Sequence, residues 1–151
     1  MTSPFLLHPL TVHLSLSLGL FSAAVEVFPP LKKKVSPRFQ ERALGLTLLF
    51  LSFSAITGLL SLAQIREKPL PLPAAATFHW WFAVTGGFLF LLLWIFTQRR
   101  YEGESVSLTV RRLVAGAGLF SLLLAATLGG HLVYQDRLGT SYMSESTVLA
   151  P

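Results

Sequence analysis

Four apolar stretches, each close to the length that crosses a lipid bilayer, constrain this chain more than any other feature of its sequence. A helix needs about 20 mostly apolar residues to cross the hydrocarbon core. The stretches predict membrane-spanning helices over residues 5–28, 43–65, 77–97 and 112–134. The composition agrees, since 52% of the residues are hydrophobic and 13% are charged. Because helices satisfy their own backbone hydrogen bonds within lipid, the chain is predicted to be an all-α integral membrane protein.

The 151 residues are predicted to form a single transmembrane domain, with a short polar tail over 135–151. The first apolar stretch is interpreted as a membrane helix rather than a secretory signal peptide. No Lys or Arg precedes it, and it is long enough to span. The chain shows neither inverted repeats nor broken helices, which argues against an autonomous transporter.

The basic residues are distributed unequally between the two predicted sides of the membrane. Nine lie in the first and third connections, and three lie in the second connection and the C-terminal tail. Loops rich in Lys and Arg stay in the cytoplasm. The bias predicts an up-down-up-down four-helix bundle, with both termini outside, as a multi-pass protein of a bacterial inner membrane. Basic residues confined to short loops also argue against nucleic-acid binding, despite the net charge of +5.

The sequence excludes several kinds of chemistry. It has no cysteine, so disulfides, iron–sulfur clusters, thiolate metal sites and covalently attached haem are ruled out. It shows neither a nucleophile beside a base nor paired carboxylates, and so predicts no independent catalytic activity. Glu26 is the only acidic residue well inside a predicted span. It is interpreted as an interfacial residue that snorkels or pairs with a basic residue of a loop.

Four histidines, His8, His13, His79 and His131, are all predicted to lie near the outer ends of the spans. Histidine within a membrane usually faces the bundle interior or a partner, so a cluster of four predicts a functional site near the periplasmic face. His13 lies ~7.5 Å deeper than His8 and is turned from it by ~140° around the helix. These two side chains are therefore not expected to be opposite ligands of one metal.

Imidazoles from facing helices are suited to axial ligation of haem b, or to a small copper or zinc site. Haem b fits better, because glycines in facing helices leave room for a flat group. The predicted axial pair is His13 with His79 or His131, and the same three residues are the predicted metal ligands. His8 is assigned to a haem propionate or to a second, shallower site, which leaves a two-haem arrangement open.

The glycines predicted to line the cofactor slot are Gly58, Gly86 and Gly130. An alternative remains open for them, because small residues also let membrane helices pack closely without any cofactor.

Several motifs resemble a known family. The opening LHPLTVHLSLSLGL is similar to the family pattern HPxxVHFPIxL and matches it at His8, Pro9, Val12 and His13. The segment SAITGLLSLAQI resembles the end of the family's second helix, and His79 resembles the histidine that opens its third. The segment GGHLVY, residues 129–134, is similar to the closing motif GGxLVY. Over nearly its whole length the chain resembles the DUF2231 family of predicted bacterial four-helix membrane proteins.

The resemblance implies that His8, His13 and His79 share whatever role the family histidines have. Some family members occur fused or adjacent to c-type cytochrome modules, which implies a redox partner. The chain departs from the pattern at Leu14 and Ser15, where the family usually has Phe-Pro. His131 occupies a variable position of the closing motif, so the resemblance assigns it no role.

Three functions follow as hypotheses. In the first, the chain is a membrane subunit that binds haem b and relays electrons between a quinol or another membrane subunit and a periplasmic c-type cytochrome. In the second, it is a cofactor-free accessory subunit whose histidines make only interhelical and interfacial hydrogen bonds. The third is a copper or zinc site near the periplasmic face.

Overall fold

The computed structural model of the protein describes residues 4–66, 73–101 and 106–134. All regular secondary structure within these ranges is helical, with helices α1 Pro4–Val27, α2 Pro29–Lys34, α3 Pro37–Arg66, α4 Ala74–Tyr101 and α5 Leu108–Tyr134. The four long helices contain spans of membrane-crossing length and hydropathy at Leu7–Val27, Pro37–Ala63, Ala74–Arg100 and Leu108–Tyr134. The prediction of an all-helical protein with four membrane spans is confirmed. The predicted polar tail, 135–151, lies outside the described residues.

The largest differences from the predicted helix bounds lie between the first two spans. Pro29 and Pro30, predicted to be part of a connection, begin the short helix α2 after an extended Phe28. Proline is favoured in a first helical turn because its fixed φ matches that of a helix. The backbone N–H that it lacks would have no partner within the helix at this position. Helix α3 begins at Pro37 rather than at residue 43, and its first turn is capped by Ser36 Oγ, which accepts a hydrogen bond from the backbone N–H of Phe39 at 3.2 Å.

The long helices pack as two intimate pairs. Helix α1 packs most extensively on α3, and α4 on α5; smaller contacts between α1 and α5 and between α3 and α4 join the pairs. His8 near the start of α1 contacts Ser54 in α3, and Glu26 near the end of α1 contacts Gln40 at the start of α3. All four long helices contribute to the central apolar cluster of Ala23, Leu44, Phe90, Leu93, Ala115 and Leu122.

Small residues allow the helices to approach closely. A methyl group at Gly118 would lie 3.2 Å from the side chains of Leu89 and Phe90, and one at Gly86 would lie 2.7 Å from Leu122 Cδ2. Large apolar side chains such as Leu113 and Phe120 cover the outer faces, at 67% and 63% exposed. An outer surface of this kind suits a bilayer, where apolar side chains face lipid tails. The up-down order and the orientation of the termini stay predictions.

Candidate histidine site

His8 fits into a notch on α3. Its Nδ1 atom lies 3.0 Å from the backbone oxygen of Ser54 and 3.2 Å from Thr57 Oγ1. A methyl group at Gly58 would lie 3.1 Å from the Cε1 atom of the His8 ring. The missing side chain of Gly58 therefore makes room for the imidazole against the α3 backbone. The next residue after His8 is Pro9, which lies inside α1.

His79 fits on α5 in the same way. Its Nδ1 atom lies 2.7 Å from the backbone oxygen of Ala125. A methyl group at Gly129 would lie 3.1 Å from Cε1 and 3.2 Å from Nδ1 of the His79 ring. Each histidine thus connects the two helices of one pair: His8 connects α1 to α3, and His79 connects α4 to α5.

These contacts define the tautomer of both rings. A carbonyl oxygen can only accept, so Nδ1 of His8 and of His79 carries the hydrogen and donates it. In the neutral imidazole, Nε2 then keeps a free lone pair. Histidines that bind metals usually hold their other ring N–H in this way, on a backbone carbonyl or a carboxylate, which fixes both the tautomer and the orientation of the ring.

The two rings meet between the helix pairs. The ring centroids of His8 and His79 are 6.4 Å apart, and the ring planes are at 81°. A metal about 2.0 Å from each Nε2 lies roughly 3 Å from each ring centroid, so two imidazoles on opposite sides of one metal have centroids about 6 Å apart. The separation of the two centroids is therefore close to that of imidazoles that share a metal, and it also lies within the range of an edge-to-face contact between two rings.

The other two histidines point elsewhere. His13 is exposed, and its Nδ1–H donates to the backbone oxygen of Pro9 in its own helix at 2.6 Å. His131, near the end of α5, is also exposed. Among the described residues, no group of three or more His, Asp or Glu side chains lies close enough to hold a metal ion. The predicted ligand set of His13, His79 and His131 is therefore not assembled as a three-residue group.

The predicted slot glycines have three different environments. Gly58 lies against the His8 ring, whereas Gly86 packs against Leu122 in the contact between α4 and α5. A methyl group at Gly130 would meet nothing within 4 Å, and the glycine that accommodates the His79 ring is its neighbour Gly129. The sequence shows the Gly-Gly pair but not which member faces α4, because that choice depends on the rotation of α5.

A second polar cluster lies at the opposite end of α1. The Glu26 side chain is fully buried and accepts hydrogen bonds from Lys32 Nζ at 2.8 Å and Gln40 Nε2 at 2.6 Å. It also forms an ion pair with Arg111, whose Nη2 atom lies 3.3 Å from Thr97 Oγ1. This network, called the Glu26 network below, takes one residue from each of the five helices. The interpretation that Glu26 pairs with a basic residue of a predicted connection is confirmed by Lys32 and Arg111, which the structure places in helices α2 and α5.

The chain was compared with known proteins in three ways. Neither the curated proteins nor the solved structures contain a protein that matches it. A family model described as a predicted membrane protein, DUF2231, matches residues 4–142, which include all four spans and both members of the histidine pair. The chain therefore belongs to the DUF2231 family of predicted membrane proteins.

Proposed function

We propose that this chain is a membrane subunit that holds one haem b between His8 and His79 and passes electrons within a larger membrane redox complex. The observation that carries the proposal is the pair itself. Two imidazoles from helices α1 and α4 lie with their centroids 6.4 Å apart, and their Nδ1–H groups donate to backbone carbonyls of α3 and α5, respectively. The pair replaces the predicted axial ligands, with His8 in the place expected for His13.

The number of available ligands favours haem over zinc. A structural zinc site uses four protein ligands, and a catalytic one uses three. The described residues offer no group of three His, Asp or Glu side chains, and the sequence has no cysteine. Haem iron needs only two axial ligands from the protein, because the macrocycle occupies the other positions.

The surrounding residues would hold and orient the two rings. The backbone oxygens of Ser54 and Ala125 fix Nδ1 as the donor, so that each Nε2 is free to bind iron. Gly58 and Gly129 leave room for the imidazoles at the helix surface. When bound, haem b would supply one-electron chemistry, with its potential set by the axial imidazoles and by the apolar environment.

Orientation and partners belong to the same proposal. The basic first and third connections would face the cytoplasm of a bacterial inner membrane, which places the His8–His79 pair near the periplasmic face. A haem at that depth would exchange electrons with a quinol or another membrane subunit on one side, and with a periplasmic c-type cytochrome on the other.

A second candidate is a cofactor-free accessory subunit of a membrane complex. The observation that favours it is that each Nδ1 hydrogen bond already joins two helices, His8 to Ser54 and His79 to Ala125. Such bonds stabilise membrane bundles by themselves, at roughly 0.6 kcal/mol each. In this function the two rings would be packing elements, and no ligand would lie between them.

A reduced-minus-oxidised absorption spectrum of the purified protein separates the two candidates. The affinity tag is removed first, and imidazole is omitted, because both bind haem iron. We expect a narrow α-band that is lost in His8→Ala and in His79→Ala. The matched controls are His13→Ala and His131→Ala, which change exposed imidazoles and should keep the band.

A further pair of variants separates ligation from packing. Adding free imidazole to His79→Gly should restore the band, because a soluble ligand can occupy the vacated position at the iron. Two results contradict the proposal: no haem in protein made by haem-sufficient cells, or a band that survives both the His8 and the His79 substitution. The first of these results would favour the accessory subunit.

A further inference from the structure

A basic cavity of about 500 Å³ lies beside the Glu26 network, at the opposite end of α1 from the histidine pair. It is open to the surface and is bordered by α2, by the end of α4 and by the start of α5. Five cationic side chains line it, and no acidic side chain among the described residues does: Lys32, Lys33, Arg100, Arg111 and Arg112. The rest of the described lining is apolar.

Among the described residues, the charges around this cavity are not balanced. Glu26 forms ion pairs with Lys32 and Arg111, and so compensates at most one of the five positive charges. Close packing of like charges in one cavity is unfavourable unless a counter-ion is present, because each charge disfavours its neighbours. The lining therefore favours an anionic occupant.

Two arginines in the lining have a buried Nε donor without a partner among the described residues. Arg111 is 3% exposed, and its Nη2 atom is held by Glu26 and Thr97. The Nε atoms of Arg111 and Arg112 are buried and have no hydrogen-bond partner among the described residues. A buried N–H without an acceptor is unfavourable. Phosphate oxygens are suitable acceptors, since guanidinium donors match their geometry.

We propose that this cavity binds a phosphate group. Arg111 and Arg112 would donate from the wall, and Lys33 and Arg100 from the exposed rim. Glu26 is a positioning residue here, since it forms an ion pair with Arg111 and does not itself line the cavity. The site is independent of haem, and the two proposals can fail separately.

The position of the cavity suggests where the phosphate comes from. Arg100 ends one candidate span and Leu108 begins the next, so the cavity lies at the depth of the lipid headgroups. Leu108 and Val106 provide an apolar wall on which an acyl chain could lie. Basic pockets between membrane helices bind anionic lipid headgroups, but inorganic phosphate or a soluble phosphate ester offers the same chemistry.

The test uses the full chain purified in detergent. Native mass spectrometry measures binding of phosphatidylglycerol, with zwitterionic phosphatidylcholine as the reference lipid. Equilibrium dialysis with radiolabelled inorganic phosphate measures binding of the free anion. The cavity variant is Lys33→Gln/Arg100→Gln, and its matched control is Arg38→Gln/Arg42→Gln, which removes two exposed charges that do not line the cavity.

We expect one phosphatidylglycerol per chain, bound about tenfold more weakly by the cavity variant and with unchanged affinity by the control. Binding of phosphate alone, with the same dependence on the variant, would support the site and identify a soluble source. An equal loss in both variants, or no saturable binding of either ligand, would overturn the proposal. Arg112→Gln is a second variant, which changes one of the arginines that line the cavity. It tests the site even if the double cavity variant does not fold.

Discussion

At the scale of single residues, Glu26 joins more helices than any other polar side chain of the described residues, because its carboxylate contacts cationic groups of two other helices and the amide of a third. Glu26→Gln keeps the shape but leaves the Arg111 guanidinium buried without its counter-charge. Breaking a buried pair in this way costs about 3 kcal/mol. We expect a loss of that size in the free energy of unfolding, measured by tryptophan fluorescence during titration with sodium dodecyl sulfate.

The matched control is Glu41→Gln. Glu41 is half-buried and accepts a hydrogen bond from Gln98 Nε2 at 2.8 Å, which a glutamine oxygen can still accept. We expect its loss to stay below about 1 kcal/mol. Equal losses for the two substitutions would contradict a special role for Glu26. Glu26→Gln/Arg111→Met should recover part of the stability, since it removes the unpaired charge.

Of the two histidines predicted in the first span, the structure places His8 beside His79 and leaves His13 exposed. The helical periodicity showed that the His8 and His13 side chains diverge, but not which of them approaches the histidine of α4. Which one does so depends on the rotation of α1 about its axis. That rotation is set by packing on α3, where the His8 ring fits against Gly58 and its Nδ1 donates to the Ser54 carbonyl oxygen. A single sequence carries no signal for such a contact between distant segments.

At the scale of helices, the contact between α4 and α5 depends on Gly86. A methyl group there would lie 2.7 Å from Leu122 Cδ2 and 3.3 Å from the Leu122 backbone nitrogen, so Gly86→Ala must push the helices apart. Overpacking of this kind costs about 1–3 kcal/mol. The neighbouring substitution Gly87→Ala is the control, because its methyl group would meet nothing within 4 Å. We expect the midpoint of unfolding in sodium dodecyl sulfate to fall for Gly86→Ala only. Equal midpoints for the two variants would show that α4 and α5 are loosely packed.

Helices were the part of the fold that the sequence predicted best. The hydropathy of the four spans is determined locally, and α4 and α5 differ from their predicted ranges only by about one turn at their ends. Helix α2 was not predicted, because PPLKKK is short, charged and rich in proline. Its formation depends on the extended Phe28 at its N-cap and on the ion pair between Lys32 and Glu26. Sequence periodicity indicates neither feature.

At the scale of the whole molecule, the role of each proposed site depends on the orientation of the protein in the membrane. The histidine pair and the basic cavity lie at opposite ends of α1, so one faces each side of the membrane. The charge bias predicts that the cavity is cytoplasmic and the histidine pair periplasmic. The chain has no cysteine, so single-cysteine variants report the orientation without background.

Ala74, Ser36 and Ser107 are exposed positions beside the helix ends and suit this measurement. We expect a membrane-impermeant maleimide to label Ala74→Cys in intact cells whose outer membrane has been made permeable. Ser36→Cys and Ser107→Cys should be labelled only after the inner membrane is opened. The reverse pattern would place the histidine pair on the cytoplasmic side. Haem and phosphate binding would both survive that result, but a periplasmic cytochrome could no longer be the electron partner.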